Sequence, residues 1–446
     1  MIKYDTYKNS EIEWLDKVPS HWNVGRIKSI GSVNGRVGWK ALKASEYIDS
    51  GYFFLSTPNI KDVKIDFKNV NYITAERYFE SPEIILRAGD ILLVKDGSTL
   101  GIVNVIRDLP AEGTVNSSIA VLRIKKFNSV YGYYLLLSNY IQNLIQLKKD
   151  GMGVPHLFQR DINNFDLLIP PPEEQDIIAK YLDSKTQAID KKVSLLEKKI
   201  GYYQELRKSL INDTVTQGLN KSIQLEQNEL GFKTPTSWFK YRLKDLGKLF
   251  SGLSGKSGDD FNQDNNPDNK GFIPFTNIAN NTYLKRDHLG TVVVGEGERQ
   301  NQVRKGDIFF LMSSEGYEDI GKTAALTEAI EETYLNSFCK GYRVNTRKCN
   351  PFFLNYLMLS DYYRQILIIE GKGFTRINLK MEKVNDFLVY IPDSLTVQEE
   401  IVQFLDTKLD TISKIIKNIQ TQLITLKELR KTLINDVVTG KIKVTA

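Results

Sequence analysis

GYEDIGKT, residues 316–323, fits the phosphate-binding pattern G-x-x-x-x-G-K-[ST] letter for letter. Taken alone it points to a nucleotide at Lys322. Two features oppose this. Glu318 and Asp319 stand inside the loop, where they repel phosphates approaching its backbone N–H groups. An earlier matching stretch, KDGSTLGIVNVI, sets Gly97 and Gly101 around a turn between two strand-like runs, with no Lys and no helix after it. A phosphate loop needs strand, loop, then helix. His21, His156 and His288 lie far apart, without H-x-E or H-E-x-x-H spacing. No G-x-S-x-G elbow is present. NNPDN (265–269) is not the N/D-P-P-F/Y motif of amino-methyltransferases, and the E-x-K of LEKK (196–199) reads as a solvated helix face. Cys339 and Cys349 have no C-x-x-C partners, so neither a disulfide framework nor a structural zinc site is expected. No catalytic constellation emerges.

Side chains suited to reading nucleic acid do gather, and they gather in loops. VNGRVGWKALKASEY (33–47) carries Arg36, Lys40 and Lys43 around Trp39. KDGS offers Lys95, Asp96 and Ser98, and GMGVPHLFQRD (151–161) offers His156. Later, FSGLSGKSGDDFNQDNN carries Lys256, Asn262 and Gln263, and MSSEG carries Ser313, Ser314 and Glu315. GFTRINLKMEK (373–383) carries Arg376, with Lys372 just before it. Arg and Lys suit guanine and phosphate; Asn, Gln and Ser suit adenine and backbone; carboxylates suit cytosine. Arg36 is expected to read bases, and Lys40 and Lys43 to hold phosphates. Singly, each residue is what any solvated loop carries. Their placement is what groups them.

That placement follows an internal repeat. VPSHWNVGRIKSIG (18–31) matches TPTSWFKYRLKDLG (234–247), so Pro19, Trp22, Arg26, Lys28 and Gly31 recur as Pro235, Trp238, Arg242, Lys244 and Gly247. RAGDILLVKDG (87–97) matches RKGDIFFLMSSEG (304–316), and NSSIAVLRI (116–124) matches NSFCKGYRV (336–344). NNFDLLIP (163–170) matches VNDFLVYIP (384–392), and ELRKSLINDTVTQG (205–218) matches ELRKTLINDVVTGK (428–441). The spacing grows along the chain, so the second copy has gained residues in loops such as SGDDFNQDNNPDNKG (257–271).

Each copy opens with short strand-like runs broken by Gly, Asn and Pro, among them GDILLV, FDLLI, GDIFFLM and DFLVYI. A helical patch follows, YYLLLSNYIQNLIQL or FFLNYLMLSDYYRQILII, then a proline stop (170–172; Pro392) and a long helix. Leu182, Thr186, Ile189, Val193, Leu196, Ile200, Tyr203, Arg207, Leu210 and Thr214 alternate spacings of four and three. Leu405, Leu409, Ile412, Ile416, Ile419, Leu423, Leu426, Arg430, Leu433 and Val437 do the same. Heptads of this kind predict a coiled coil. The obvious mate of each helix is the other, and two copies related by a pseudo-two-fold axis must pair antiparallel. About 44 residues make a rod of roughly 66 Å. Arg207 and Arg430 share one heptad slot, either snorkelling over the seam or meeting a carboxylate that fixes register or partner. With Asn212, Asp213, Asn435 and Asp436 they form candidate partner-binding surfaces on the helices.

The bulk numbers agree with a protein of this kind. A chain of 446 residues has room for two to four domains. At 41% hydrophobic and 26% charged it is neither disordered nor membrane-spanning. The start of the chain shows no apolar secretory core, so the cytoplasm is the expected compartment. A net charge of +6 permits nucleic-acid binding without demanding it.

EWLDKVPSHWNVGRIKSIG resembles the W-L-G-x-I-P-x-H-W-x-x-x-R-L-K opening of type I restriction-modification specificity subunits. IPPPEEQDIIAKYLDSKTQAID (169–190) resembles their I-P-P-x-x-E-Q-x-x-I-x-x-x-L-D lead into a spacer helix. The second copy departs from this, with DSLTVQEEIVQFLDTKLDTI after Pro392. The resemblance implies an α+β chain with two β-rich target-recognition domains, 1–168 and 221–390. Two antiparallel coiled-coil spacer helices, 169–220 and 391–446, would join them. It implies no catalytic activity. Each domain would read half of a split DNA target, and the helices would set the gap and recruit two adenine-N6 methyltransferase subunits. Motor-nuclease subunits would join, with S-adenosylmethionine, ATP and Mg on those partners only. The rod length bounds the gap at about 20 base pairs, and heads on one duplex face would sit nearer one helical turn apart. Loops that differ between copies imply an asymmetric target. Competing readings are a stand-alone methyltransferase or nuclease, which lacks its motifs, a scaffold whose heads bind protein, and an orphan subunit without its nuclease.

Overall fold

The structure is a computed structural model that describes residues 2–36, 42–125, 127–149, 155–263 and 266–445. It divides into two compact units, Met1–Glu197 with Ile419–Ala446, and Lys198–Asn418. Each long helix therefore contributes to both.

In the first unit, four strands form an antiparallel sheet: β1 (Gly31–Asn34), β2 (Ile91–Val94), β3 (Val103–Val105) and β4 (Ile119–Ile124), in the order β1-β4-β2-β3. All four residues of β2 are buried. Ile91 and Leu93 face one apolar cluster and Leu92 and Val94 another, which is why the run is continuously apolar and does not alternate. A smaller sheet pairs Tyr52–Leu55 antiparallel with Asn71–Ile73 and parallel with Gly113–Val115. Helices α1 (Ser129–Leu136), α2 (Asn139–Lys148) and α3 (Pro172–Gln217) follow.

The second unit repeats the plan. Its sheet holds β5 (Gly247–Ser251), β6 (Tyr283–Leu284), β7 (Ile308–Leu311), β8 (Thr323–Leu326) and β9 (Cys339–Val344), in the order β5-β9-β7-β8-β6. Ile308 and Phe310 face one cluster, Phe309 and Leu311 the other. Its helices are α4 (Pro351–Leu359), α5 (Asp361–Glu370) and α6 (Leu395–Val438).

The recurrence of R-x-G-D-I has a local cause. Gly89 and Gly306 take φ of +88° and +85°, the left-handed region that glycine tolerates. The turn aims Asp90 and Asp307 inward, and each is nearly fully buried. Each carboxylate accepts two bonds from one guanidinium. Arg123 Nε and Nη2 both stand 2.7 Å from Asp90, and Arg343 Nε and Nη2 stand 2.9 and 2.7 Å from Asp307. Backbone N–H groups of Arg87 and Arg304 add 2.9 and 2.7 Å bonds. The buried charge is thereby paired and satisfied.

The helical patches differ from the single helices their apolar runs suggest. Each is broken at a serine, Ser138 or Ser360, whose backbone turns extended. Both serines are fully buried, and their hydroxyls donate to Leu135 O at 2.6 Å and Leu357 O at 2.7 Å.

Both long helices begin on a buried glutamine. Gln175 Nε2 donates to Pro170 O at 2.8 Å and its Oε1 accepts from Asn128 N at 2.9 Å. Gln398 does the same with Pro392 O and Asn350 N, both at 2.7 Å. The divergent second-copy lead therefore keeps the same helix start.

Within the first unit α3 and α6 run antiparallel, with Asp190 against Arg430 at 3.0 Å and Glu197 against Lys427 at 3.6 Å. Leu182, Ile434, Val437 and Val438 share one core. In the second unit Leu405, Leu409 and Ile412 pack with Tyr203 and Leu210. Of the heptad positions, Leu182, Thr186, Thr214, Leu405, Leu409, Ile412, Ile419, Leu423 and Val437 are buried and the rest are half-buried, so none is exposed, as a coiled-coil seam requires. Among the described residues, no helix is long and apolar enough to cross a membrane.

Candidate nucleic-acid interface

Two loop junctions stand at matching places on the two scaffolds. In the first unit, the chain leaving β2 meets the segment after α2 through a bridge between Asp96 and His156. Lys95 O accepts from Leu157 N at 2.8 Å, and Gly97 N donates to Pro155 O at 3.0 Å. Asp96 sits between Lys95 Nζ, at 3.0 Å, and the His156 ring, which it also contacts. Lys95 is nearly buried, while Ser98 lies exposed in the turn beyond it. Phe158 packs edge-on against His156, and the Arg160 guanidinium lies 4.8 Å from the Phe158 ring centre.

In the second unit, Ser313–Ser314 pairs antiparallel with Ile377–Asn378. Lys372 and Asn378 exchange backbone bonds of 3.0 and 2.8 Å, closing a hairpin with Phe374 fully exposed near its tip. A recess of about 450 Å³ opens here, lined by Ser313, Ser314, Glu315, Asp319, Phe338 and Arg376. Arg376 lies 4.8 Å from the centre of the half-exposed Phe338 ring and 4.0 Å from Glu315.

The GYEDIGKT stretch borders this recess and is no phosphate loop. Lys322 pairs with Asp319 at 2.7 Å, and Thr323 begins strand β8. Arg364 holds the stretch from beneath, donating to Glu318 O at 2.9 Å and to Ile320 O. Burial lowers the Arg364 pKa to about 10, so it remains a cation at neutral pH.

The expected site residues thus divide. Lys95, Ser98 and His156 come together in one junction, and Ser313, Ser314, Lys372 and Arg376 in the other. Lys43 is exposed, with its backbone N–H on Glu46 at 2.8 Å. Trp39 and Lys40 lie outside the described residues. Lys256 is held by Glu298 at 2.7 Å. Asn262, at φ +54°, is tied to Thr291, whose N–H donates to its Oδ1 at 3.4 Å, while the Gln263 side chain braces its own loop by reaching Asp259 O at 2.5 Å.

Arg36 differs from the expectation of an exposed base reader. Its side chain is buried, 3.6 Å from Glu80 and 3.4 Å from Arg77 O. Burial, then the neighbouring Arg77 charge, lowers its pKa.

On the helices, Asn435 and Asn212 are spent internally. Asn435 is buried, and its Oδ1 accepts from the first N–H of α2, Asn139, at 3.1 Å. Asn212 Oδ1 accepts from the first N–H of α5, Asp361, at 2.8 Å. Each satisfies a donor that a helix start leaves open. Asp213 accepts from Ser209 at 3.0 Å, and Asp436 pairs with Lys441 at 3.8 Å. Arg430 takes the carboxylate alternative with Asp190, whereas Arg207 lines a cleft beside Tyr356 and Asp406. A cleft of about 520 Å³ lies against α3 and α6 in the first unit, away from the loop junction. Within it Arg107 pairs with Asp183 at 2.6 Å and Arg430 with Asp190 at 3.0 Å.

Four residues at the junctions escape the sequence reading: Phe158, Arg160, Phe338 and Arg364. The signal for Phe338 is divergence on a matched scaffold, since Ser118 holds its place in the first copy. The others depend on tertiary packing that no spacing encodes. Among the described residues no cluster of His, Cys, Asp and Glu could hold a metal ion. Cys339 and Cys349 are buried free thiols, pushed up to about 12 by burial.

The family model described as the type I restriction modification DNA specificity domain matches residues 19–199 and again 235–425. The type I restriction enzyme MjaVIII specificity subunit of Methanocaldococcus jannaschii is 24% identical over 96% of this chain and 94% of its own. The EcoKI specificity subunit of Escherichia coli K12 is 23% identical over 54% and 51%. The HsdS subunit of Thermoanaerobacter tengcongensis shares the fold at TM-score 0.55 and 16% identity, covering 95% of this chain and 98% of that one. A chain from a structure of complex assembly and conformational transition of the type I R-M system reaches TM-score 0.70 at 16% identity, over 95% and 99%.

Proposed function

Because the chain belongs to the type I restriction-modification DNA specificity family, we propose that each of its units reads one half of a bipartite, asymmetric DNA target. It is a specificity subunit of such a system and not itself an enzyme. One observation carries the proposal. Equivalent junctions, Asp96 with His156 and Ser313 with Asn378, occupy the same place on repeated scaffolds and carry different polar side chains. That is what two readers of unlike half-sites require. Loop Lys and Arg supply salt-dependent phosphate affinity, and a few side chains per half supply specificity. The paired helices set the gap and recruit two methyltransferase subunits, with restriction subunits joining them. S-adenosylmethionine, ATP and Mg²⁺ then act on those partners.

The test combines gel shifts across a salt series with methylome sequencing of the host with and without this gene. Expected are binding that weakens linearly in log salt and loss of one split, non-palindromic motif on deletion. Salt-independent binding, or an unchanged methylome, overturns the proposal.

A further inference from the structure

We infer that Arg160 and Arg376 each read a guanine, one in each half of the target, and that Phe158 and Phe338 hold them ready to do so. The inference rests on the DNA-reading proposal above and adds to it which residue reads which base.

The two arginines share a set of features. Each guanidinium lies 4.8 Å from the centre of a neighbouring Phe ring. Each ring is itself part-exposed at the loop junction, Phe158 at 37% and Phe338 at 50%. Among the described residues, the carboxylate paired with each arginine stands at 4.0 Å, Asp161 for Arg160 and Glu315 for Arg376, too far for a closed hydrogen bond. Their side chains stay exposed, at 79% and 47%. Arg107, by contrast, is gripped by Asp183 at 2.6 Å.

A guanidinium stacked on a ring keeps its planar fork of N–H donors edge-outward. The ring face attracts the cation and removes rotamer freedom without occupying a donor. The fork matches guanine O6 and N7, the commonest specific contact in the major groove. Preorganisation lowers the ordering cost of forming that contact. The distant carboxylate weakly neutralises the free arginine and yields readily to the base.

The two pairs are not copies of one another. Phe158 and Arg160 both lie on the segment after α2. In the second unit Phe338 precedes β9 and Arg376 lies on the hairpin. The same solution reached from non-equivalent positions places the guanine differently in each half-site, as an asymmetric target requires.

The experiment uses the full chain assembled with its methyltransferase subunits and a randomised duplex library, with selection and sequencing at fixed salt. The variants are R376K, R376A, F338A, R160K, R160A and F158A, each checked for an unaltered melting curve. R376K keeps the charge and loses the fork, so it separates base reading from phosphate contact. Expected is a drop of about tenfold in preference for one guanine of one half-site in both Arg376 variants, with the other half unchanged. The Arg160 variants produce the mirror result in the other half, and each Phe variant weakens the same position as its arginine. A uniform loss at all sequences, rescue by lysine, a changed base other than guanine, or an unchanged motif overturns the inference and leaves the DNA-reading proposal standing. A parent complex that selects no motif defeats the DNA-reading proposal, and the inference with it.

Discussion

Gln398 lies where the second copy departs most from its family pattern, yet it makes the same two bonds as Gln175. A fully buried amide that bridges the strand end at Pro392 to the helix start at Asn350 is costly to replace. Gln398→Leu strands the Asn350 N–H and the Pro392 carbonyl, an expected loss of about 1–3 kcal/mol. The same change at Gln175 is expected to cost a similar amount, read as a lower midpoint in urea unfolding. An unaffected midpoint would show that water satisfies both groups. This role is not legible in sequence, because Q-E-E and E-E-Q look like ordinary charged helix starts. Arg36 teaches the converse. Its neighbours Trp39 and Lys40 suggest a basic loop, but Glu80 and the Arg77 carbonyl draw its guanidinium inward. Composition locates a loop, whereas only packing decides which of its side chains face out.

At the scale of elements, the repeated helix endings perform the same local task. Asn212 binds the first N–H of α5 and Asn435 that of α2. Thr216 and Thr439 each return a hydroxyl to the carbonyl of that asparagine, both at 2.6 Å. Asn435→Ala is expected to cost about 1 kcal/mol through loss of the helix-start acceptor, and Asn212→Ala a similar amount. Exchanging residues 205–216 with 428–439 restores both contacts and is expected to leave the melting temperature nearly unchanged. A large drop would show that the endings have diverged in packing. The strands, the heptads and the repeat itself were legible, since apolar runs and periodicity report burial directly. The breaks at Ser138 and Ser360 were not, because a buried serine inside an apolar run carries no periodic signal. The side sheet of Tyr52–Leu55, Asn71–Ile73 and Gly113–Val115 is not legible for a similar reason: strands this short do not show a period.

Considered as a whole molecule, the chain is two solutions to one scaffold problem. The conserved parts are those that close each scaffold: the Gly-Asp turns with their Arg pairs, the tryptophans of the first motif and the glutamine helix starts. The divergent parts are the loops that leave β2 and β7 and the segments they meet. Sequence comparison of the two copies exposes this division, because scaffold identity and loop difference are both written in one chain. It does not expose Arg160 stacked on Phe158, since that contact depends on a local fold. If, as proposed, the two units read unlike half-sites only because their loops differ, then making the halves identical must make the target symmetric. A chain in which residues 221–390 are replaced by 1–168 is therefore expected to direct methylation to an inverted repeat of one parental half-site. Methylome sequencing of a host carrying this chain checks the outcome. A target that stays asymmetric would mean that parts of the assembly outside the two replaced segments contribute to base choice.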